Sequence, residues 1–246
     1  MTCVMLPLKD LVQAKTRLAG LLRPSERRAL AQAMAEDVLS VLAGHPSVER
    51  IVILSDDPAA GLLAGKYRAE CWSERALGCA GLNPVLQSAS QKLLDEGATR
   101  MIALHADLPL LCAADVTAVE AALDAGFSPV VGPDRHATGT NLLAFDVADV
   151  PVFSFGEDSF QRHMAAAHAV RARPRRIDRP GIAQDVDDAA DLAVLLPLLR
   201  SRARGHTAGL LCAPALAARI ALALESIQMP AETAGTGSDD SGGAWV

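Results

Sequence analysis

Asp107 ends an apolar run, Met101-Ile-Ala-Leu-His-Ala-Asp107, and the breaker Pro109 follows at once. A strand that delivers a carboxylate at its carboxyl end puts it where α/β sheets meet their ligands. A second pair of acids, Asp185 and Asp187, lies two residues apart much later in the chain. In an extended segment that spacing sends both side chains to one face, where they can join Asp107 around a divalent cation. A plain helix start competes with this reading, because Asp188 can cap a helix with Asp191 at its third position, and acids suit that end of the dipole. Capping has no use for Asp185, so from sequence the two readings stand level.

All-oxygen donors, few carboxylates and phosphate substrates suit magnesium better than zinc or calcium. The six histidines add no metal-ligand spacing, His105 reads as structural, and no Gly-x-Ser-x-Gly elbow is present. Three cations, Lys9, Lys15 and Arg17, follow the first apolar segment. In nucleotide-binding folds that position faces the triphosphate, and a cation there can neutralise departing pyrophosphate, although a solvated helix face also explains it. Gly81, Leu82 and Asn83 open a helix whose N–H groups and Asn amide can read a base or ribose, or merely cap. With two small-residue turns, Thr138-Gly-Thr-Asn141 and Gly156-Glu-Asp-Ser159, these are the parts of a magnesium-dependent nucleotidyltransferase.

Composition narrows the partners. Of the formal net charge of −6, four negative charges fall at Glu225, Glu232, Asp239 and Asp240 with no Lys or Arg after Arg219, which leaves −2 for residues 1–224. With 3% aromatics, the body has neither the basic field nor the stacking surfaces of a nucleic-acid binder. The one basic cluster, Arg171 to Arg176, reads as a solvated strand edge. No apolar run approaches the ~20 residues that span a bilayer, and no signal-peptide pattern opens the chain, so a cytoplasmic, non-membrane protein is expected. Five scattered cysteines without a Cys-x-x-Cys support neither a disulfide framework nor a zinc site.

Apolar strand-like segments at Cys3–Pro7, Arg50–Leu54, Met101–Ala106, Pro129–Val131 and Asn141–Phe145 alternate with helical patterns. Helices are predicted after Pro24 and over Leu82–Leu94, Ala114–Ala125, Phe160–Ala167 and Ala189–Leu199. Strands alternating with helices of that length imply right-handed crossovers and a mostly parallel sheet, a Rossmann-like three-layer α/β fold. The catalytic domain is expected over residues 1–200. One additional C-terminal helix is expected within residues 206–228, and an acidic, disordered tail over 229–246. The apolar Leu216, Ile220, Leu222 and Leu224 of that helix need a cover, either the body or a second subunit in a homodimer.

The ordered set Pro7-x-Lys9 with Ala14-Lys-x-Arg-Leu18, Gly81-Leu-Asn83, Ala106-Asp-Leu-Pro109, Pro133-Asp-Arg135 with Thr138-Gly-Thr-Asn141, Phe155-Gly-x-x-Ser-Phe160 and Asp185-Val-Asp187 resembles the phospho-acid guanylyltransferases of coenzyme F-420 biosynthesis. Members act on 2-phospho-L-lactate, phosphoenolpyruvate or 3-phosphoglycerate. The resemblance spans roughly residues 3–199, and the ordered set is far more specific than any single motif. It departs modestly: Thr16 stands where the family often has Ser, and Asp188 where Thr is common before Pro.

The resemblance implies a nucleotidyltransferase that joins GTP to a phosphorylated three-carbon acid and releases pyrophosphate. It implies that Thr140, Gly156 and Ser159 hold the acid, that Asp107 with Asp185 or Asp187 holds Mg2+, and that Gly81, Leu82 and Asn83 meet the nucleotide. Lys9, Lys15 or Arg17 would stabilise pyrophosphate. The Ala/Arg-rich composition favours phosphoenolpyruvate or 3-phosphoglycerate over 2-phospho-L-lactate. Molybdopterin and sugar nucleotidyltransferases share the fold but open on a Gly-rich loop, and Leu6-Pro-Leu-Lys-Asp10 has no glycine. A non-catalytic nucleotide-binding module is the remaining alternative, opposed by the retention of all three acids.

Overall fold

The computed structural model describes residues 1–11, 13–202 and 205–228. Its strands are β1 (Thr2–Pro7), β2 (Arg50–Leu54), β3 (Glu70–Trp72), β4 (Arg100–Leu104), β5 (Val130–Pro133), β6 (Thr140–Asp146) and β7 (Arg175–Arg176). They form one sheet in the order β3-β2-β1-β4-β6-β5-β7. Only β6 runs against its neighbours, β4 and β5, and the other pairings are parallel. The mostly parallel α/β sheet expected from the alternating pattern is therefore present.

The helices are α1 (Pro24–Gly44), α2 (Pro58–Tyr67), α3 (Glu74–Leu77), α4 (Leu82–Asp95), α5 (Ala113–Asp124), α6 (Ser159–Ala169), α7 (Pro180–Ala183), α8 (Ala189–Arg202), α9 (His206–Leu211) and α10 (Pro214–Gln228). Because strand side chains alternate, β1 sends Val4 and Leu6 to one face and Cys3 and Met5 to the other. Val4 and Leu6 pack against Ala35, Val38 and Leu39 of α1, and on the same face lie Val116 and Val119 of α5. Cys3 and Met5 share the second core with Leu86 and Leu93 of α4 and Phe160 of α6. Burial on both faces is why β1 and β4 read as unbroken apolar runs.

The sequence pattern passed over β3, α2, α3 and α7, while the strand edge read at Arg171 to Arg176 is present as β7. β3 and β7 are short edge strands with mostly exposed side chains, so no apolar alternation marks them. β7 is built from exposed Arg175 and Arg176 of the basic cluster. α2 carried a usable signal, since Asp57 caps it by accepting from the Ala59 N–H at 2.8 Å and Pro58 follows.

The single C-terminal helix expected within residues 206–228 is two. α9 ends at Leu211, and Pro214, which lacks an N–H, opens α10 as its first residue. Asp37 of α1 pins α9, its carboxylate accepting from the His206 and Thr207 N–H groups at 2.6 and 2.9 Å. Leu211 and Ile220 are fully buried in a third core with Leu30, Met34 and Leu195, against which Leu216 and Leu224 also pack. The body therefore covers this face, and only Leu222 of the four named residues stands exposed. The expected acidic tail, residues 229–246, lies outside the described residues. Among the described residues, no helix is long and apolar enough to cross a membrane.

Candidate active site

β1 and β4 are neighbours, yet the chain leaves β1 toward β2 on one side and continues from β4 on the other. Such a switch point opens a crevice beyond the strands' carboxyl ends. A cleft of about 1270 Å³ occupies it, lined by Lys9, Lys15, Arg28, Asp56, Gly81, Leu82, His105, Asp107 and Asp187 among others.

Lys15, in a left-handed backbone conformation at φ 55, reaches between two carboxylates. Its Nζ lies 2.5 Å from Asp107 Oδ2 and 2.9 Å from Asp187 Oδ1. Burial alone would push the Asp107 carboxyl up, but the ammonium and then His105 hold it below the usual carboxylate range. Burial likewise disfavours the Lys15 charge, and the two carboxylates outweigh it, so the ammonium is held well above its ordinary value. Both partners agree on one strong, half-buried ion pair.

Asp185 is treated differently. Burial, then the charge of Asp107, pushes its carboxyl up to about 6, despite an Asn141 Nδ2 donation at 3.3 Å. Asp107 Oδ1 is buried without a hydrogen-bond partner, an arrangement that costs about 1–3 kcal/mol. An orphaned carboxylate oxygen beside a carboxyl that resists ionising marks a place short of positive charge. Among the described residues no three His, Cys, Asp or Glu side chains stand ready as metal ligands, and Lys15 stands between Asp107 and Asp187.

Of the two competing readings of the late acids, capping is present for Asp188 and Asp191. Asp188 Oδ1 accepts from the Ala190 and Asp191 N–H groups, and Asp191 Oδ2 from those of Asp187 and Asp188, all at 2.8–3.0 Å. Capping thus employs Asp188 and Asp191. The Asp187 side chain is left to Lys15 and that of Asp185 to Asn141.

A second polar cluster forms where β6 meets the start of α6. Asp134 shapes the turn into β6 by accepting from the N–H groups of His136, Thr138 and Gly139 at 2.9–3.1 Å. A Cβ on Gly139 would meet Asp134 Oδ2 at 2.9 Å, so the turn needs glycine. The Phe160 N–H donates to Thr138 O at 3.1 Å, joining the α6 start to this turn. Thr140 and Ser159 are both buried, and Gly156 takes φ 122, a conformation open to glycine. His163 joins the parts: its Nδ1 is 3.0 Å from Thr140 Oγ1, and its Nε2 accepts from the Ser154 N–H at 3.0 Å. The Phe155 ring packs between His105 and His163, at centroid distances of 5.5 and 5.0 Å. The acid cluster and this polar cluster are therefore neighbours.

Residues 2–199 match the family model described as Guanylyl transferase CofC like. The chain belongs to this family. Over 213 residues it is 38% identical to a phosphoenolpyruvate guanylyltransferase from Conexibacter woesei, covering 85% of this chain and 95% of that one. A protein of the same name from Chloroflexus aggregans is 37% identical, covering 77% and 94%. A solved structure from Desulfovibrio desulfuricans, described as a nucleotide-diphospho-sugar transferase, superposes with a TM-score of 0.76 at 20% identity, covering 90% of this chain and 97% of that one. At that identity the likeness speaks to the fold alone. The resemblance read from the ordered motifs is thus a family membership.

Within that family frame, Lys9 and Lys15 line the cleft and Arg17 does not. Arg17 lies exposed in a 3-10 turn, Thr16–Leu18, and Arg28 of α1 stands in the cleft lining instead. Nothing in its spacing singled out Arg28, one of several charged residues at the helix start. Gly81 and Leu82 line the cleft, but Asn83 faces elsewhere. Its amide clasps the Phe155 backbone, donating to the carbonyl at 3.1 Å and accepting from the N–H at 2.8 Å. The segments carrying Thr140, Gly156 and Ser159 come together, outside the lining of the large cleft. Sequence reasoning missed His163, and it named Asn141 only as the end of a turn, without its partners Ile182 and Asp185, which are distant in the chain.

Proposed function

We propose that this chain transfers the guanylyl group of GTP to a phosphorylated three-carbon acid, phosphoenolpyruvate or 3-phosphoglycerate ahead of 2-phospho-L-lactate, in the cytoplasm as a step of coenzyme F-420 biosynthesis. The observation that carries the reading is the convergence of Lys15, Asp107, Asp185 and Asp187 at the switch point of a chain with this family membership. A phosphate oxygen of the acid attacks the α-phosphorus of GTP, the bond to the β-phosphate oxygen breaks, and pyrophosphate leaves with the electron pair. A phosphomonoester is already anionic at neutral pH, so the site needs no strong general base.

Catalysis then rests on positioning and charge neutralisation. Lys9, Lys15 and Arg28 supply cations along the cleft for the triphosphate and the departing pyrophosphate, while Gly81 and Leu82 form its wall toward the nucleoside. Thr140, Gly156 and Ser159 receive the acid. The orphaned Oδ1 of Asp107 and the reluctant carboxyl of Asp185 fit a divalent cation, so Asp107 with Asp185 or Asp187 would hold Mg2+. When bound, the metal neutralises phosphate charge and orients the reacting oxygens.

The test is pyrophosphate release from GTP and magnesium with each of the three acids, repeated with Thr140→Val and Ser159→Ala. Each variant removes a hydrogen bond to a charged group, about 1.5–3 kcal/mol, so KM for the acid should rise by about ten- to a hundredfold with KM for GTP unchanged. Failure of all three acids, alongside turnover of a sugar phosphate, would overturn the proposal.

A further inference from the structure

His163 is buried, joins Thr140 to Ser154, and has no part in the chemistry above. Its partners fix its tautomer. The Ser154 backbone N–H can only donate, so Nε2 must carry a lone pair, and the proton of the neutral ring sits on Nδ1. Nδ1–H therefore donates to Thr140 Oγ1 across 3.0 Å. A hydroxyl that already accepts must direct its own hydrogen elsewhere, and among the described residues no hydrogen bond takes it. Accepting one hydrogen bond also polarises the O–H for donating another. An anion needs donors, and this geometry makes Thr140 one.

The same ring performs a second task. Ser154 opens the turn that carries Phe155 and Gly156, and Arg162 Nη2 donates to Ser154 O at 2.9 Å from the next residue of α6. With the Nε2 bond, the ring fastens that turn to the first residue of β6.

We propose that His163 is the positioning residue of the phospho-acid subsite, its Nδ1–H setting the Thr140 hydroxyl as a donor toward the acid while its Nε2 holds the Ser154–Gly156 turn in place. This rests on the reading of Thr140, Gly156 and Ser159 as the acid's contacts. Burial, then the charge of Arg162, keeps the ring neutral, with its pKa pushed down to about 4.

Two side chains separate the tasks. Asparagine places an N–H near the Nδ1 position, and glutamine places an oxygen near that of Nε2. In the full-length protein with GTP, magnesium and the acid it turns over, His163→Gln should raise KM for the acid about tenfold while sparing KM for GTP. His163→Asn should recover most of that loss. In a Thr140→Val background, His163→Gln should add nothing. Heteronuclear NMR of the wild-type imidazole at neutral pH should show Nδ1 protonated and Nε2 bare, a readout independent of activity and of any variant's folding. The opposite tautomer overturns the proposal, as do equal effects of the two variants or an equal rise in KM for GTP. If Thr140→Val itself leaves KM for the acid unchanged, the acid-subsite reading fails and takes this with it. If Thr140→Val acts and His163→Gln does not, only the role of His163 falls.

Discussion

Lys15 Nζ lies 2.5 Å from Asp107 Oδ2 although 92 residues separate them in the chain. The same ammonium reaches Asp187 Oδ1 at 2.9 Å, so one side chain supplies positive charge to two of the three acids that the family frame connects with a metal. A lysine and a divalent cation would compete for those oxygens.

Lys15→Met tests that competition. It should tighten binding of Mn2+ to the nucleotide-free protein, because the acids lose their internal cation, yet lower turnover by weakening the hold on the phosphates. Metal affinity can be read by titration calorimetry and turnover by pyrophosphate release. Weaker Mn2+ binding in the variant would show that Lys15 organises the acids rather than competes for them.

Asp107→Asn keeps the volume and removes the charge. Loss of a charge that holds the metal should cost several kcal/mol of transition-state stabilisation, a fall in kcat of about a thousandfold. Near-normal turnover of a well-folded variant in magnesium would remove Asp107 from the site.

The contrast between Arg28 and Arg17 gives a paired test. Arg28 lines the cleft and Arg17 does not, so Arg28→Ala should raise KM for GTP by about tenfold, in line with one lost hydrogen bond to a charged group. Arg17→Ala should leave KM for GTP within about twofold. The reverse ranking would place the triphosphate on the other side of the Lys15 turn.

The strands that position the acids were legible because β1 and β4 are buried on both faces and so read as apolar runs ending in charged residues. Asp107 stood out for the same reason, at the end of such a run, while Asp185 and Asp187 stood out by their two-residue spacing and are brought to it by the loop between α7 and α8. The short edge β3 was not, since three residues, two of them exposed, carry no period, and β7 was legible only as a basic strand edge. Asn83 misled because an Asn at a helix start looks the same whether its amide faces a nucleotide or, as here, the Phe155 backbone 72 residues away. His163 and the partners of Asn141 were invisible for a related reason: each derives its meaning from residues that only the fold brings near.

Two groups should give opposing pH dependences in the metal-free protein. His163 has its pKa pushed down to about 4 from an ordinary 6.5. The folded state then binds fewer protons than the unfolded one, so its contribution is full above about pH 6.5 and is lost as pH falls toward 4. Asp185 is raised from 3.8 to about 6, so its contribution is full below about pH 3.8 and is lost as pH rises through 6. Each effect is on the order of 2–3 kcal/mol, less for the partly exposed Asp185. They should largely cancel between pH 4 and 6. Relative to wild type, His163→Asn should gain stability on acidification across that window and Asp185→Asn should lose it. Urea unfolding in chelator at three pH values reads both, and parallel curves for the two variants would contradict the assignment.

The C-terminal helices should contribute to stability and not to chemistry. Ile220 is fully buried in the third core and is not among the residues that line the cleft. Ile220→Ala leaves a cavity and should cost about 2–4 kcal/mol. Asp37→Ala removes the carboxylate that accepts from both leading N–H groups of α9, a capping loss of about 0.5–2 kcal/mol. Leu222, 68% exposed, should tolerate Leu222→Ser with almost no change. In all three, KM for GTP and for the acid should match wild type at temperatures well below unfolding. A melting series ranks the stabilities, and steady-state kinetics on the folded proteins completes the test. A kinetic defect in Ile220→Ala without matching destabilisation would show that α10 communicates with the cleft, through α1, which carries Asp37, Met34 and the cleft residue Arg28 on one helix.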